Sequence, residues 1–209
     1  MEKFKTIEKN ATAEIEEKRS KFIASIFYVQ TIEEAENILK QTKKKYYDAR
    51  HNCYAYIVRD NGIIKKSSDD GEPSGTAGSP ILNVLEKNSL CNVLVIVTRY
   101  FGGILLGTGG LVRAYTEATT KVIELSKIIE QEEGVEIEII IPYQDFQKLK
   151  HYCDKNKIKI TNVVYNENIS CNIELTNKEK EMLLYNENKD RKNMNILEYR
   201  IIKNKYIRK

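Results

Sequence analysis

The chain has 209 residues, 41% of them hydrophobic and 31% charged, which excludes a disordered polyelectrolyte and a collagen-like chain and suits one large domain or two small ones. The formal charge of +4 is unevenly placed: residues 1–134 carry 19 basic and 19 acidic side chains, residues 135–209 carry 15 and 11. The longest aliphatic run, residues 93–97, is five residues, far short of the roughly 20 that span a bilayer.

The first ten residues have no apolar h-region, so a soluble, cytoplasmic protein with no membrane partner is expected. Four cysteines, Cys53, Cys91, Cys153 and Cys171, show no CxxC spacing, and only His51 and His151 could join them. They read as reduced core or near-surface thiols. His51-x-Cys53 alone is half a site, so neither a metal nor a cofactor is expected.

In chain order, residues 12–17 alternate weakly and residues 21–30 read as a strand. Thr31-x-x-Glu34 reads as a capping box opening a helix with Ile32, Ala35, Ile38 and Leu39 on one face. Lys43, Lys44 and Lys45 suit its negative C-terminal end. Residues 52–59 and 63–66 form a hairpin about Asp60-Asn61-Gly62. Pro80 suits the first turn of a short helix ending near Lys87. Residues 93–97 are apolar at consecutive positions, which requires burial on both faces. A longer helix from about Gly110 carries the stripe Leu111, Ala114, Tyr115, Ala118, Val122 and Leu125.

The segment 131–134 reads as a linker, with a helix ending before it and a strand, residues 135–141, after it. A helix from Pro142 to about Asn156, a hairpin of residues 158–165 and 169–175, a helix capped by Thr176 with Glu179, and a last strand over 195–207 complete a βαββαβ order. That is the ferredoxin-like plan. The expectation is an α+β protein with a first domain in 1–130 and a ferredoxin-like domain in 135–209.

Nine of the ten glycines lie between Gly62 and Gly110, in two loops that each lead into a helix. The first carries Asp69, Asp70, Glu72, Ser74, Gly75 and Thr76. The second carries Arg99, Gly102, Gly103, Gly107, Gly109, Gly110 and Arg113. Glycine lets backbone N–H groups approach a ligand, and a helix N-terminus adds free donors, so both loops suit an anion. Neither fits the Walker lysine pattern, and the second lacks the spaced dinucleotide fingerprint.

Arg113, in a first helical turn, opposes the dipole unless an anion is near, and with Arg99 it could clamp a phosphate or carboxylate. The alternative is that each arginine pairs with an acid, Glu117 lying one turn from Arg113. Asp69, Asp70 and Glu72 read as a solvated turn or as oxygen ligands for magnesium beside a phosphate. No Ser/His/Asp or Cys/His set is evident from spacing, and no catalytic residue is assigned. Arg200, Lys203, Lys205, Arg208 and Lys209 end the chain without an acid, which reads as a phosphate-backbone footprint or as a solvated face.

Glu72-Pro-Ser-Gly-Thr-Ala-Gly-Ser-Pro80 and Val97-Thr-Arg-Tyr-Phe-Gly-Gly-Ile-Leu-Leu-Gly-Thr-Gly-Gly-Leu-Val-Arg-Ala-Tyr115 resemble the IMPACT family, in its bacterial two-domain YigZ/YvyE-type branch. Lys18-Arg-Ser-Lys-Phe-Ile23 and His51-Asn-Cys-Tyr-Ala-Tyr56 fit the same pattern, so the resemblance covers about residues 15–125. It implies an N-terminal α/β domain like a ribosomal protein's second domain and domain IV of elongation factor G. It also implies a C-terminal domain like that factor's ferredoxin-like end domain, and kinship with eukaryotic regulators of translation that act through protein contacts. Two functions stay open. One is a cytoplasmic binding protein regulating translation through the ribosome, RNA or a translation-associated protein. The other is a small-molecule enzyme, kinase-like or hydrolase-like, binding a phosphorylated or carboxylated ligand with Asp70 and Glu72 on magnesium and Arg113 on the anion.

Overall fold

Two segments that are apolar at consecutive positions, residues 53–58 and 93–97, need a sheet covered on both faces. The computed structural model describes residues 3–59, 62–185 and 194–208 and divides into two units, Phe4–Glu130 and Gln131–Lys209, the second including Met1–Lys3. The first unit contains β1 (Phe4–Ile7), β2 (Ala11–Glu17), β3 (Ser20–Tyr28), α1 (Ile32–Lys45), β4 (His51–Arg59), β5 (Ile63–Ser68), α2 (Gly78–Lys87), β6 (Val93–Tyr100) and α3 (Gly107–Leu125). The unit boundary falls inside β7 (Ile128–Ile141), which is followed by α4 (Tyr143–Lys155), β8 (Ile160–Tyr165), β9 (Ile169–Thr176), α5 (Asn177–Leu184) and β10 (Glu198–Arg208). The protein is α+β, with five helices and two antiparallel sheets among the described residues.

In the first unit the sheet order is β2–β3–β6–β4–β5, antiparallel throughout. Tyr54, Tyr56, Val58, Leu94 and Ile96 pack with Ala35, Ile32, Ile38 and Leu39 of α1. The alternate residues of the same strands face the other way, where Cys53 meets Tyr115 of α3. Both faces are therefore buried, as the unbroken apolar runs require. Thr31 caps α1 by accepting from the Glu34 N–H at 3.2 Å, but the Glu34 carboxylate takes the Gln30 N–H at 2.7 Å. The box thus closes one residue upstream of the expected position. Helix α3 starts at Gly107 rather than near Gly110, and its stripe is buried except for Leu125, which is exposed. Asp60 and Asn61, expected in the hairpin turn, lie outside the described residues.

The β2–β3 connection carries strain. Glu17 pairs with Ser20, leaving Lys18 and Arg19 as a two-residue turn at φ +46° and +62°. This left-handed pair of conformations favours Asn-Gly, and each non-glycine residue held there costs about 1–3 kcal/mol.

In the second unit the strand order is β10–β7–β9–β8. Val135, Ile137, Ile139 and Ile141 face a core with Phe146, Leu149 and Leu183, and Cys153 and Cys171 are part of it. All four cysteines of the chain are buried and unbridged. Thr176 and Glu179 form a complete capping box on α5.

The opposite sheet face is a ladder of charges. Arg200 pairs with Glu138 at 2.7 Å, Lys203 with Glu136 at 3.3 Å, and Lys205 with Glu174. The basic segment read as a phosphate footprint therefore spends three of its cations on its own sheet; Lys209 and the Arg208 side chain lie outside the described residues. An Asn172 hydrogen bond, helped by Lys203, holds the Glu136 carboxyl below its usual range against the effect of burial.

Residues 131–134, expected to be a linker, are a paired part of β7. A Cβ on Gly134 would collide with the Leu175 carbonyl oxygen and lie 2.6 Å from Ile207 Cγ1. Glycine is there for close approach between strands, not for flexibility. Gly134→Ala is expected to destabilise the protein by about 1–3 kcal/mol, read as a lower urea midpoint by circular dichroism; an unchanged midpoint would mean that the neighbouring strand yields freely.

Candidate functional site

A side chain at the end of a buried strand can carry charge only if the surroundings meet that charge. Arg99, the seventh residue of β6, points to the α3 side of the sheet and is buried. Its Nη1 donates to Glu72 Oε1 at 2.7 Å, and its Nη2 to Ser20 Oγ at 3.3 Å. The Tyr115 hydroxyl donates to the same Glu72 oxygen at 2.8 Å. Phe22 and Phe101 place their rings 5.4 and 5.7 Å from the guanidinium carbon. Burial, with Cys53 and Glu72 alongside, pushes the Tyr115 phenol far up, so it stays protonated and donates. Burial also pushes the Cys53 thiol up to about 12, and with Tyr115 Oη and the Asp69 carbonyl in reach it is a weak donor, not a nucleophile.

The first glycine loop is folded onto its own carboxylates. Asp69 accepts from the N–H groups of Gly75, Ala77 and Gly78 at 2.9, 2.9 and 2.8 Å. Burial works against its ionised form, but those three backbone bonds prevail and its pKa lies below the ordinary 3.8. Asp69 therefore already fills the anion position at the start of α2. Asp70, at φ +43°, takes Lys43 at 2.6 Å and the Asn52 N–H at 2.7 Å. Ser74 and Gly75 are exposed, while Thr76 is buried and donates to the Pro73 carbonyl at 2.6 Å. The three acids thus diverge instead of converging. Among the described residues no three His, Cys, Asp or Glu side chains gather to hold a metal.

The second loop is different. Gly102 sits so close to the Arg19 backbone that a Cβ would overlap it, and its N–H donates to Ser20 Oγ at 3.2 Å. Beyond it Phe101, Ile104, Leu105 and Val112 are exposed, Leu105 by 82%. Gly103, Gly107 and Gly109 face open space, while Gly110 is buried against Leu106. No side chain caps α3 and no acid lies in its first turn. Arg113 is exposed and forms no ion pair among the described residues, with Glu117 or any other acid. Lys18 and Arg19 in the strained turn are exposed, and they too form no ion pair among the described residues.

The two arginines expected to work together are therefore separated in role: Arg99 holds the loops from inside, and Arg113 faces out. Asp70 and Glu72, the expected magnesium ligands, are bound to protein donors. Sequence reasoning missed Ser20, Cys53 and the capping role of Asp69, because each acts through a contact that no spacing predicts. It also passed over Lys18-Arg19 as a turn, since neither residue is a turn former.

The model of the Impact N-terminal domain matches residues 18–123. The chain is 36% identical over 164 residues to IMPACT family member YvyE of Bacillus subtilis (strain 168), covering 78% of this chain and 76% of that one. It is 35% identical over 161 residues to an IMPACT family member of Haemophilus influenzae, covering 75% and 77%. A crystal structure described as that of a hypothetical protein superposes with a TM-score of 0.63 at 29% identity, covering 86% of this chain and 88% of its own.

Glu72→Gln leaves Arg99 buried without a counter-charge and is expected to cost about 3–5 kcal/mol in urea unfolding. The double variant Arg99→Met/Glu72→Leu removes both charges and should recover most of that loss; equal losses in both would refute the pairing as the cause. Acid stability gives a second reading. Because the folded pKa of Asp69 is depressed, its stabilisation is complete above 3.8 and lost as pH falls through the folded value. Thermal melts of Asp69→Asn should therefore lie below wild type near neutrality and converge on it under strong acid.

Proposed function

The chain belongs to the IMPACT family, and on that premise we propose that it is a binding protein regulating translation, docking on the ribosome, its RNA or a translation-associated protein. The observation that carries the reading is the face made by the second glycine loop and the β2–β3 turn. There Phe101, Ile104 and Leu105 are exposed together with Lys18, Arg19 and Arg113, three cations with no ion pair among the described residues. An apolar centre with cations free for a partner is how a docking surface is built. Strain held at Lys18-Arg19 adds to it, since backbone strain concentrates where function requires a fixed shape.

With this reading goes a domain assignment. Residues 1–130 would form the IMPACT N-terminal-type domain, similar in fold to domain IV of elongation factor G. Residues 135–209 would form a ferredoxin-like domain, which the order β10–β7–β9–β8 favours. The site of action would be cytoplasmic; no helix among the described residues is long and apolar enough to cross a membrane. The enzyme alternative loses its footing in Asp70 and Glu72, which are engaged by Lys43, the Asn52 N–H, Arg99 and Tyr115.

Co-sedimentation with ribosomes and subunits at low and moderate salt tests the proposal. Wild type is expected to pellet in a salt-sensitive manner, and Leu105→Asp/Arg113→Glu to remain in the supernatant. Absence of wild-type co-sedimentation at low salt would overturn it, and an undiminished variant would remove this face from it.

A further inference from the structure

The Lys43-Lys44-Lys45 run is accounted for along α1 by the helix dipole, but its surroundings across the sheet are not. On the face of the sheet that α1 covers, an open groove of about 590 Å³ runs between α1 and the β4–β5 hairpin. Lys40, Lys43, Lys44 and Lys66 line it, with Leu39, Tyr47 and Tyr54 as its apolar parts and Glu36 as its one acid.

The charge balance is specific. Lys66 neutralises Glu36 at 3.0 Å, and Lys43 neutralises Asp70 at 2.6 Å. Lys40 and Lys44 have no ion pair among the described residues and are exposed. They stand one helical turn apart on one side of α1, about 6 Å between Cβ atoms. Two unspent cations in register beside a groove suit two successive anionic groups on one polymer.

The aromatic residues decide which polymer. Tyr47 is 85% exposed, so its ring is open to a flat partner, and Tyr54 forms the floor, stacked on Tyr56 at 6.3 Å and 15°. A peptide of carboxylates would satisfy the lysines and leave the tyrosine idle. A nucleic-acid strand uses both, since phosphates meet the lysines while a base stacks on the ring. Lysine, a point charge without the planar fork of arginine, suits phosphates held in variable geometry.

We propose that the groove between α1 and the β4–β5 hairpin binds single-stranded RNA, with Lys40 and Lys44 on successive phosphates and Tyr47 stacking a base. The proposal rests on the translation reading only in taking RNA as the strand; its residues are distinct from Leu105 and Arg113.

The test is fluorescence anisotropy of the full chain with a labelled oligouridine of about 12 nucleotides, at about 50 and about 200 mM salt. Wild type is expected to bind at the lower salt and to weaken steeply at the higher. Lys40→Gln/Lys44→Gln should reduce the log–log salt slope by about 1.4, about 0.7 for each phosphate that is no longer neutralised. Tyr47→Ala should weaken binding roughly tenfold with the slope unchanged. Lys40→Arg/Lys44→Arg should keep binding, which separates loss of charge from loss of fold. No wild-type binding at the lower salt, or wild-type behaviour in both the glutamine and alanine variants, would overturn the proposal. So would competition by polyglutamate as strong as by oligouridine, which would make an acidic protein segment the occupant. Because the probe is a free oligonucleotide, such a failure leaves ribosome co-sedimentation through Leu105 and Arg113 standing, and the reverse also holds.

Discussion

The Arg99 guanidinium is buried against one carboxylate, Glu72, and the pair ties the end of β6 to the first glycine loop, 27 residues away in sequence. Taking two ions out of water costs several kcal/mol for each. The geometry offsets that cost by giving both ions further partners: Ser20 of β3 accepts from Arg99, Tyr115 of α3 donates to Glu72, and the rings of Phe22 and Phe101 lie against the guanidinium. The buried Arg99 Nε has no hydrogen-bond partner among the described residues. Both glycine loops, the start of β3 and the middle of α3 are thereby fixed to one point. A hydrophobic cluster of the same volume would bind these elements as firmly, but it would not dictate which loop meets which strand.

Much of the fold is legible in the sequence because periodicity reports burial. The Val135, Ile137, Ile139, Ile141 alternation and the Leu111, Ala114, Tyr115, Ala118 stripe each name the face they bury. Thr31 and Thr176 name helix starts through their side-chain oxygens. The site is less legible, because sequence shows charge without showing what the charge meets. Arg99 and Arg113 look equivalent around the same glycines, yet one is an internal tie and the other faces solvent. Asp69, Asp70 and Glu72 look like a cluster, yet a turn with Asp70 in a left-handed conformation sends them in three directions. Gly134 looks like a hinge because glycine marks both flexible joints and tight contacts, and only the carbonyl of Leu175 distinguishes the two.

The same distinction governs the basic residues. By composition the excess charge lies in residues 135–209, and it is there that the described cations of β10 are bound to glutamates across the sheet. In the first unit, whose residues 4–130 carry 18 basic and 16 acidic side chains, Lys18, Arg19, Arg113, Lys40 and Lys44 form no ion pair among the described residues. Net charge therefore does not say where the free cations lie, and pairing does. The two sets of free cations also lie beside different apolar groups, an aliphatic loop tip in one case and an exposed tyrosine in the other, so they suit different partners.

The charge ladder of the second sheet bears on how the chain is made. Strand β10 leaves the ribosome later than β7, β8 and β9, so for a time β7 has one edge with its hydrogen-bonding groups unoccupied. Such an edge is an invitation to pair with another nascent chain. Here it presents Glu136 and Glu138, and a second copy in the same state would bring the same acids against it. Arg200 and Lys203 of β10 are the complement this edge waits for. Those two glutamates would repel a like-charged edge while the sheet is open, and they meet Lys203 and Arg200 once β10 closes it.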